Sequence, residues 1–389
     1  MKILYHHRTA SNDGQAVHIE EMVSALRELG HQVLVVSPGG SDDSGEMGDG
    51  VVWIKKIRLM LPKSVYELLE LAYSFVAYHR LSAAADVFKP DVIYERYNLF
   101  LLAGVLLKRR LGVPLLMEVN APLAYERGKF GGLGLPRLAK WAEGVAWRGA
   151  DVVLPVTKVL AQHVMQAKVP SSRILVIPNG INEAHFANAL SPETAREKLN
   201  LGKGLVLGFT GFVRDWHGVD RVVRWLASDA CPINAQLLVV GDGPARQNLE
   251  TLAKECKVGD RVRFTGFVPR SQVPSFVAAF DVALQPAVVP YASPLKLFEY
   301  LALNKAILAP RMPNIEEVLA DNVNAVLFDD GKEGSFESAL NALCSNPATR
   351  EQLGKAAGET IQSMGLTWKR NAERVVAVAV VALNKSSGP

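Results

Sequence analysis

The chain has 389 residues, 49% of them hydrophobic and 21% charged. At roughly 150 residues per domain this makes two domains or three, and the apolar content excludes a largely disordered chain. The net charge is +4, with the excess in residues 1–180; this lacks the dense basic stripe of a nucleic-acid binder but suits an anionic ligand or an anionic membrane surface.

In chain order, Lys2–Tyr5 is a short apolar strand with no signal-peptide h-region. His6–Gly14 is a polar loop. Gln15–Leu29 has helical periodicity through Val17, Met22, Ala25, Leu26 and Leu29, and stops at Gly30. His31–Ser37 is a buried-type strand, and Gly39–Gly50 a Gly/Asp/Ser-rich mobile loop. Further strands are predicted at Val92–Tyr94, Pro114–Glu118 and Val152–Pro155. The pattern restarts at Leu205–Thr210, followed by Leu237–Val240, Val262–Thr265, Val282–Gln285, Ala306–Ala309 and Ala325–Phe328. Alternating strands and helices imply parallel sheets with right-handed crossovers. The expectation is therefore α/β, two doubly wound Rossmann-like domains facing across a cleft. Their boundary falls near Pro178–Leu201, and ligands should bind beyond the carboxyl ends of the strands. Cys231, Cys256 and Cys344 lie far apart, so neither a disulfide framework nor a Cys-x-x-Cys metal pair is expected; a reducing, cytoplasmic compartment fits. The apolar runs Leu99–Leu107 and Val375–Leu383 are shorter than the ~20 residues of a spanning helix.

Pro290–Tyr300 is the most informative stretch. Ser293 reads as an N-cap and Pro294 as a first-turn residue, so the helix would start with free N–H groups suited to a phosphate. Lys296 adds a cation one turn in. Glu299, a turn further, can accept two hydrogen bonds from a vicinal diol such as a ribose. Phosphate donors with a diol acceptor describe a nucleotide-diphosphate site; a solvated glutamate and its surface neighbour fit the spacing equally well. In Gly208–Gly218 a strand ends in a glycine-containing loop, Gly211, and a helix begins near Val219. There Arg214 could clamp a pyrophosphate or be an ordinary surface arginine. Gly241-Asp242-Gly243-Pro244 is a further turn where glycine permits close approach of a ligand.

Taken in order, these segments resemble the family-4 retaining glycosyltransferases of GT-B fold. Gly14–Val33 is similar to that family's Gly-rich loop and first helix, ending in Gly30-His31-Gln32-Val33. Val176–Ile181 is similar to its interdomain linker, and Leu238–Pro244, Phe264–Pro269 and Ser293–Ala302 to its second domain. Trp368 and the helix after it resemble the terminal segment that crosses back. The resemblance implies an acceptor-binding domain over 1–180, with the crossover helix at about 367–384. A nucleotide-sugar domain would cover 181–366. It implies ribose binding by Glu299 and neutralisation of the diphosphate by Arg214 and Lys296, with amides around Leu295. The main chain near Val268 would hold the base. Gly14, Gly211, His217, Gly241 and Ser293 complete the donor set.

Three positions depart from the family pattern. Tyr291 stands where an acidic residue often precedes the ribose glutamate, and His217 where many members carry lysine. In Met117–Pro122, Asn120 stands at the place of a histidine; Asn donates a hydrogen bond but is no general base. Glu118 and Glu126 are then candidates to serve the acceptor, and His18 on the first helix could join them or be a satisfied buried histidine. No nucleophile is assigned, because the leaving phosphate can take the acceptor's proton on the same face. There is no Asp-x-Asp triplet, and adjacent His6 and His7 would point opposite ways in a strand, so no metal and no cofactor beyond the donor is expected.

The implied activity is transfer of a hexosyl or N-acetylhexosaminyl unit from a nucleotide sugar to a glycan or lipid-linked acceptor, in exopolysaccharide or glycoconjugate biosynthesis. A nucleotide-sugar 2-epimerase of the same fold and a non-catalytic nucleotide-sugar-binding partner are the rivals. Arg58–His79, with Lys108-Arg109-Arg110, reads either as a membrane-surface segment on the inner face of the membrane or as an amphipathic helix packed on the sheet.

Overall fold

The computed structural model describes residues 1–9, 14–38 and 61–386. The Gly39–Gly50 stretch, part of the His6–Gly14 loop and the start of the Arg58–His79 stretch lie outside the described residues. The chain divides into two compact units, Met1–Pro178 with Trp368–Pro389, and Asn179–Thr367.

The first unit holds a parallel sheet of β1 (Lys2–His6), β2 (Gln32–Val36), β3 (Val92–Arg96), β4 (Leu115–Val119) and β5 (Val152–Pro155), in the order β2-β1-β3-β4-β5. Strands covered on both faces read as continuous apolar runs, and every residue of β3 and β4 is buried. Both runs nevertheless contain charges near their carboxyl ends, Glu95 and Arg96 on β3 and Glu118 on β4. The helix Gly14–Glu28 packs Ile19, Met22, Val23 and Leu26 inward, and Gly30 turns the chain with φ 82°, a conformation that favours glycine. The terminal helix Trp368–Ser386 belongs to this unit: Trp368 is buried against His18, with ring centroids 4.7 Å apart. Asn371 Nδ2 donates to the Pro178 carbonyl at 2.7 Å.

The second unit is a six-stranded parallel sheet: β6 (Val206–Thr210), β7 (Gln236–Val240), β8 (Val262–Phe264), β9 (Val282–Leu284), β10 (Ala306–Pro310) and β11 (Val326–Phe328), in the order β11-β10-β9-β6-β7-β8. Counted within the unit and read from β8, the order is 3-2-1-4-5-6, the doubly wound arrangement whose strand order reverses beside its first strand. Here the reversal falls between β6 and β9, so the carboxyl end of β6 is where a ligand is expected. The two faces are filled by separate apolar clusters, one around Phe209, Val222 and Leu237, the other around Phe280, Phe298 and Ile307.

Candidate active site

In the first unit, the carboxyl ends of β1, β3 and β4 carry a buried polar network centred on Glu118, which is 2% exposed. Arg96 Nη1 donates to one carboxylate oxygen, and Asn120 Nδ2 donates to the same oxygen at 2.5 Å. The Tyr94 and Tyr5 hydroxyls donate to the other at 2.9 and 3.4 Å. His18 Nε2 lies 3.0 Å from that oxygen. Burial opposes ionisation of Glu118, but His18 and Arg96 outweigh it and hold the carboxyl far below the usual carboxylate range. A second pair sits alongside, with His6 Nδ1 2.6 Å from Glu95 Oε2 and the Gly104 amide donating to that oxygen at 3.0 Å. His7 is pushed down to about 4 by burial first and His6 second.

Of the first-unit candidates, Glu118, Asn120 and His18 thus come together. Gly14 is the exposed first residue of its helix. Glu126 ends a short helix and is half-buried. Arg96, Glu95 and His6 were not singled out from the sequence, although a Glu-Arg pair inside an otherwise apolar buried strand was the available signal. With its oxygens occupied by neighbours, Glu118 organises the strand ends.

In the second unit, β6 leads through Thr210 into Gly211, with φ 120°. Lys296, on the helix Leu295–Ala302, lies beside it: a Cβ at Gly211 would sit 3.5 Å from Lys296 Nζ. That Nζ is buried with no hydrogen-bond partner and stands 3.6 Å from the centroid of the Phe209 ring. Burial pulls its pKa down to about 7, with Glu299 opposing. Glu299 Oε2 accepts the Thr210 hydroxyl at 3.3 Å. Burial raises the Glu299 carboxyl pKa, against Thr210, Lys296 and Arg270. The Tyr300 hydroxyl accepts the Thr210 amide at 2.9 Å, which fixes the β6 end to the same helix.

One expectation is corrected. Ser293 is not the N-cap: the helix begins at Leu295, Pro294 occupies the cap position in extended geometry, and no side chain caps it. Ser293 Oγ instead accepts the Asn179 amide at 3.3 Å, and its carbonyl accepts Asn179 Nδ2 at 2.5 Å. Ser293 is therefore engaged by the segment that opens the unit. The helix start itself stays uncapped by any side chain, so its first-turn amides keep the polarity that suits an anion.

His217 is buried, and the Arg214 amide donates to its Nδ1 at 3.2 Å. Burial, then Lys296 and Arg214, push it down to about 2. It is a neutral imidazole and contributes no cation to the site. Arg214 is exposed, its guanidinium 4.9 Å from the centroid of Phe212. Gly241 has φ 140°, and a Cβ there would lie 2.1 Å from the Gly211 carbonyl oxygen. Its glycine is thus demanded by the chain's own β6 loop, independently of any ligand. Val268 is half-buried against the Phe298 cluster, and Tyr291 is buried. Thr210 and Arg270, both near Glu299, escaped the sequence reading. Among the described residues, no group of three or more His, Cys, Asp or Glu could hold a metal ion.

The fold is two parallel-sheet α/β units, each with polar groups at its strand ends, and comparison with known proteins gives the class. A glycosyl transferase 4-like domain matches residues 13–180, and the glycosyl transferases group 1 model matches residues 191–360. The chain belongs to the group 1 glycosyltransferases of the family-4 type, with the GT-B fold. It is 29% identical over 293 residues to a 2-deoxystreptamine N-acetyl-D-glucosaminyltransferase of Streptomyces fradiae, covering 70% of this chain and 69% of that one. It is 25% identical to a D-inositol 3-phosphate glycosyltransferase of Arthrobacter sp., covering 92% of this chain and 88% of the relative. In structure it is similar to Anabaena HepE in complex with UDP (TM-score 0.75, 19% identity, 98% and 100% of the two chains). It is likewise similar to sucrose-phosphate synthase of Thermosynechococcus elongatus (TM-score 0.78, 18% identity, 97% and 98%).

Proposed function

We propose that this glycosyltransferase moves a hexosyl or N-acetylhexosaminyl unit from a nucleotide-diphosphate sugar to a glycan or lipid-linked acceptor, with retention, in the assembly of an exopolysaccharide or related glycoconjugate. The second unit takes the donor and the first the acceptor. Support for a nucleotide donor comes from the likeness to HepE, whose structures include complexes with UDP and with UDP-glucose. Support for a polyhydroxylated acceptor comes from relatives named for 2-deoxystreptamine and D-inositol 3-phosphate.

The observation that carries the reading is Lys296: a buried amine with no hydrogen-bond partner, on the first turn of a helix that no side chain caps. A buried cation with no hydrogen-bond partner, set against only the Phe209 ring and the Glu299 charge, is costly, and a diphosphate would supply the missing bonds and charge. Lys296, Arg214 and the amides around Leu295 then neutralise the leaving group, Glu299 holds the ribose diol, and the main chain near Val268 holds the base. As the bond between the anomeric carbon and the β-phosphate oxygen breaks, the acceptor oxygen bonds that carbon on the same face. Its proton passes to the departing phosphate oxygen. Stabilising that developing negative charge is the main catalytic demand, and the reaction in this reading uses no cofactor besides the donor.

Calorimetry with UDP, GDP, ADP and their sugars, followed by turnover assays, tests it. Glu299→Ala should weaken nucleotide binding at least about tenfold, the loss of hydrogen bonds to a charged group. Unchanged affinity refutes the assignment, and binding without turnover on any acceptor favours a non-catalytic role.

A further inference from the structure

The helix Lys63–Phe88 of the first unit is amphipathic the wrong way round at its start. It buries Glu67, Glu70, Ser74 and Ala77, while Leu68, Leu69 and Phe75 are 51%, 50% and 63% exposed, flanked by exposed Val65 and Val76. The spacing 65, 68, 69, 72, 75/76 is that of one helical stripe, but the stripe faces out. The membrane-surface alternative from the sequence thus gains a geometric basis, because simple packing on the sheet would bury it.

The buried glutamates have a definite task. Glu67 accepts the Gly134 and Leu135 amides at 2.8 and 2.7 Å, and Glu70 accepts Arg127 at 2.5 and 3.2 Å. They fasten the segment from Arg127 to Leu135 against the helix. That segment carries Phe130, 62% exposed, with Lys129 Nζ 5.2 Å from its ring. Lys63 Nζ reaches the neighbouring Gly131 carbonyl at 3.0 Å. From Lys63 to His79 the only acidic side chains are the two buried ones. The outward surface is therefore apolar and aromatic with lysines beside it.

We propose that this face docks the first unit onto an anionic glycerophospholipid bilayer, with the helix lying in the interface. Charge complementarity selects the occupant: lysine beside exposed aromatic and aliphatic side chains suits an anionic lipid surface, whereas lysine is depleted where proteins meet. No helix of the described residues is long and apolar enough to cross a membrane, so the contact is lateral. The surface belongs to the first unit, whereas the residues of the proposed donor site belong to the second.

The full chain is sedimented with vesicles of phosphatidylcholine, with and without phosphatidylglycerol, at low and high salt. Binding to the anionic vesicles that weakens in high salt is expected. Leu68→Ser with Phe75→Ser should abolish it while leaving the thermal midpoint and UDP affinity unchanged. Lys63→Gln and Lys129→Gln should each weaken it roughly five-fold, the factor for one cation near an anionic surface. Absence of binding, equal binding to neutral vesicles, or a self-association of the chain that the serine variant removes would overturn the proposal.

Discussion

The two units place charge at their strand ends in opposite ways. In the first, Glu118 is surrounded by Arg96, His18, Asn120 and two tyrosine hydroxyls, and Glu95 is engaged by His6 and the Gly104 amide. In the second, Lys296 Nζ is buried and has no hydrogen-bond partner. A buried charge without compensation is tolerated where a ligand completes it; a buried charge with many partners is already part of the scaffold. In the proposed reading the difference separates a well-partnered platform from a site that an anion completes, a distinction that a list of polar residues in either unit would hide.

The largest expected effect comes from breaking the platform. Glu118→Ala strands Arg96 in a buried position, and removing one partner from such a network costs about 3–5 kcal/mol. Denaturation followed through Trp147 and Trp368, both buried in the first unit, should report that loss, with UDP binding by the second unit retained. Glu118 also sets an acid limit. Its folded pKa is depressed, so its contribution is present above the unfolded carboxylate value of about 4.3 and is lost as pH falls below it. An unfolding step of the first unit that ignores this variant would erase the contrast between the units.

Lys296→Met probes the other side. Removing the cation buried beside the carboxyl end of β6 should weaken UDP binding roughly a hundredfold, the upper range for charge-assisted hydrogen bonds. The same change should raise the thermal midpoint of the free protein, because a desolvated ammonium is removed. A variant that loses both binding and stability would mean that Lys296 supports the fold.

Much of this was legible in the sequence because doubly wound sheets leave a strong trace. Buried parallel strands appear as unbroken apolar runs, and the Gly14–Glu28 helix shows in the spacing of Met22, Leu26 and their neighbours. The spacing put the second unit's Lys296 and Glu299 on one helix, but their donor role came only with the family resemblance. What stayed hidden depends on partners distant in the chain. Arg96 meets Glu118 across adjacent strands, and His6 meets Glu95; no local pattern encodes either. Ser293 has the chemistry of a cap, but Asn179 competes for it, and Pro294 takes the cap position. Gly241 suggested ligand approach, whereas the nearest atom to its missing Cβ is the Gly211 carbonyl oxygen. The outward stripe of the Lys63–Phe88 helix was ambiguous, since a hydrophobic stripe has no sign until its buried face is seen.

A smaller effect sharpens the comparison through protons. Lys296 in the free protein has a pKa near 7, lowered by burial from 10.5. Between those values the unfolded chain binds one more proton than the folded one at this position, so the lysine's unfavourable contribution fades as pH rises. A diphosphate beside the amine reverses the shift, because an adjacent negative charge favours the ammonium form. UDP binding above pH 7 should therefore take up protons, and its affinity should fall by at most about tenfold per pH unit. His217 adds nothing in this range, since burial holds it near 2. Calorimetry in two buffers of different ionisation enthalpy reads the uptake directly, and Lys296→Met should abolish it. Uptake that persists in the variant would move the titrating group elsewhere and leave the orphaned amine without its assigned role.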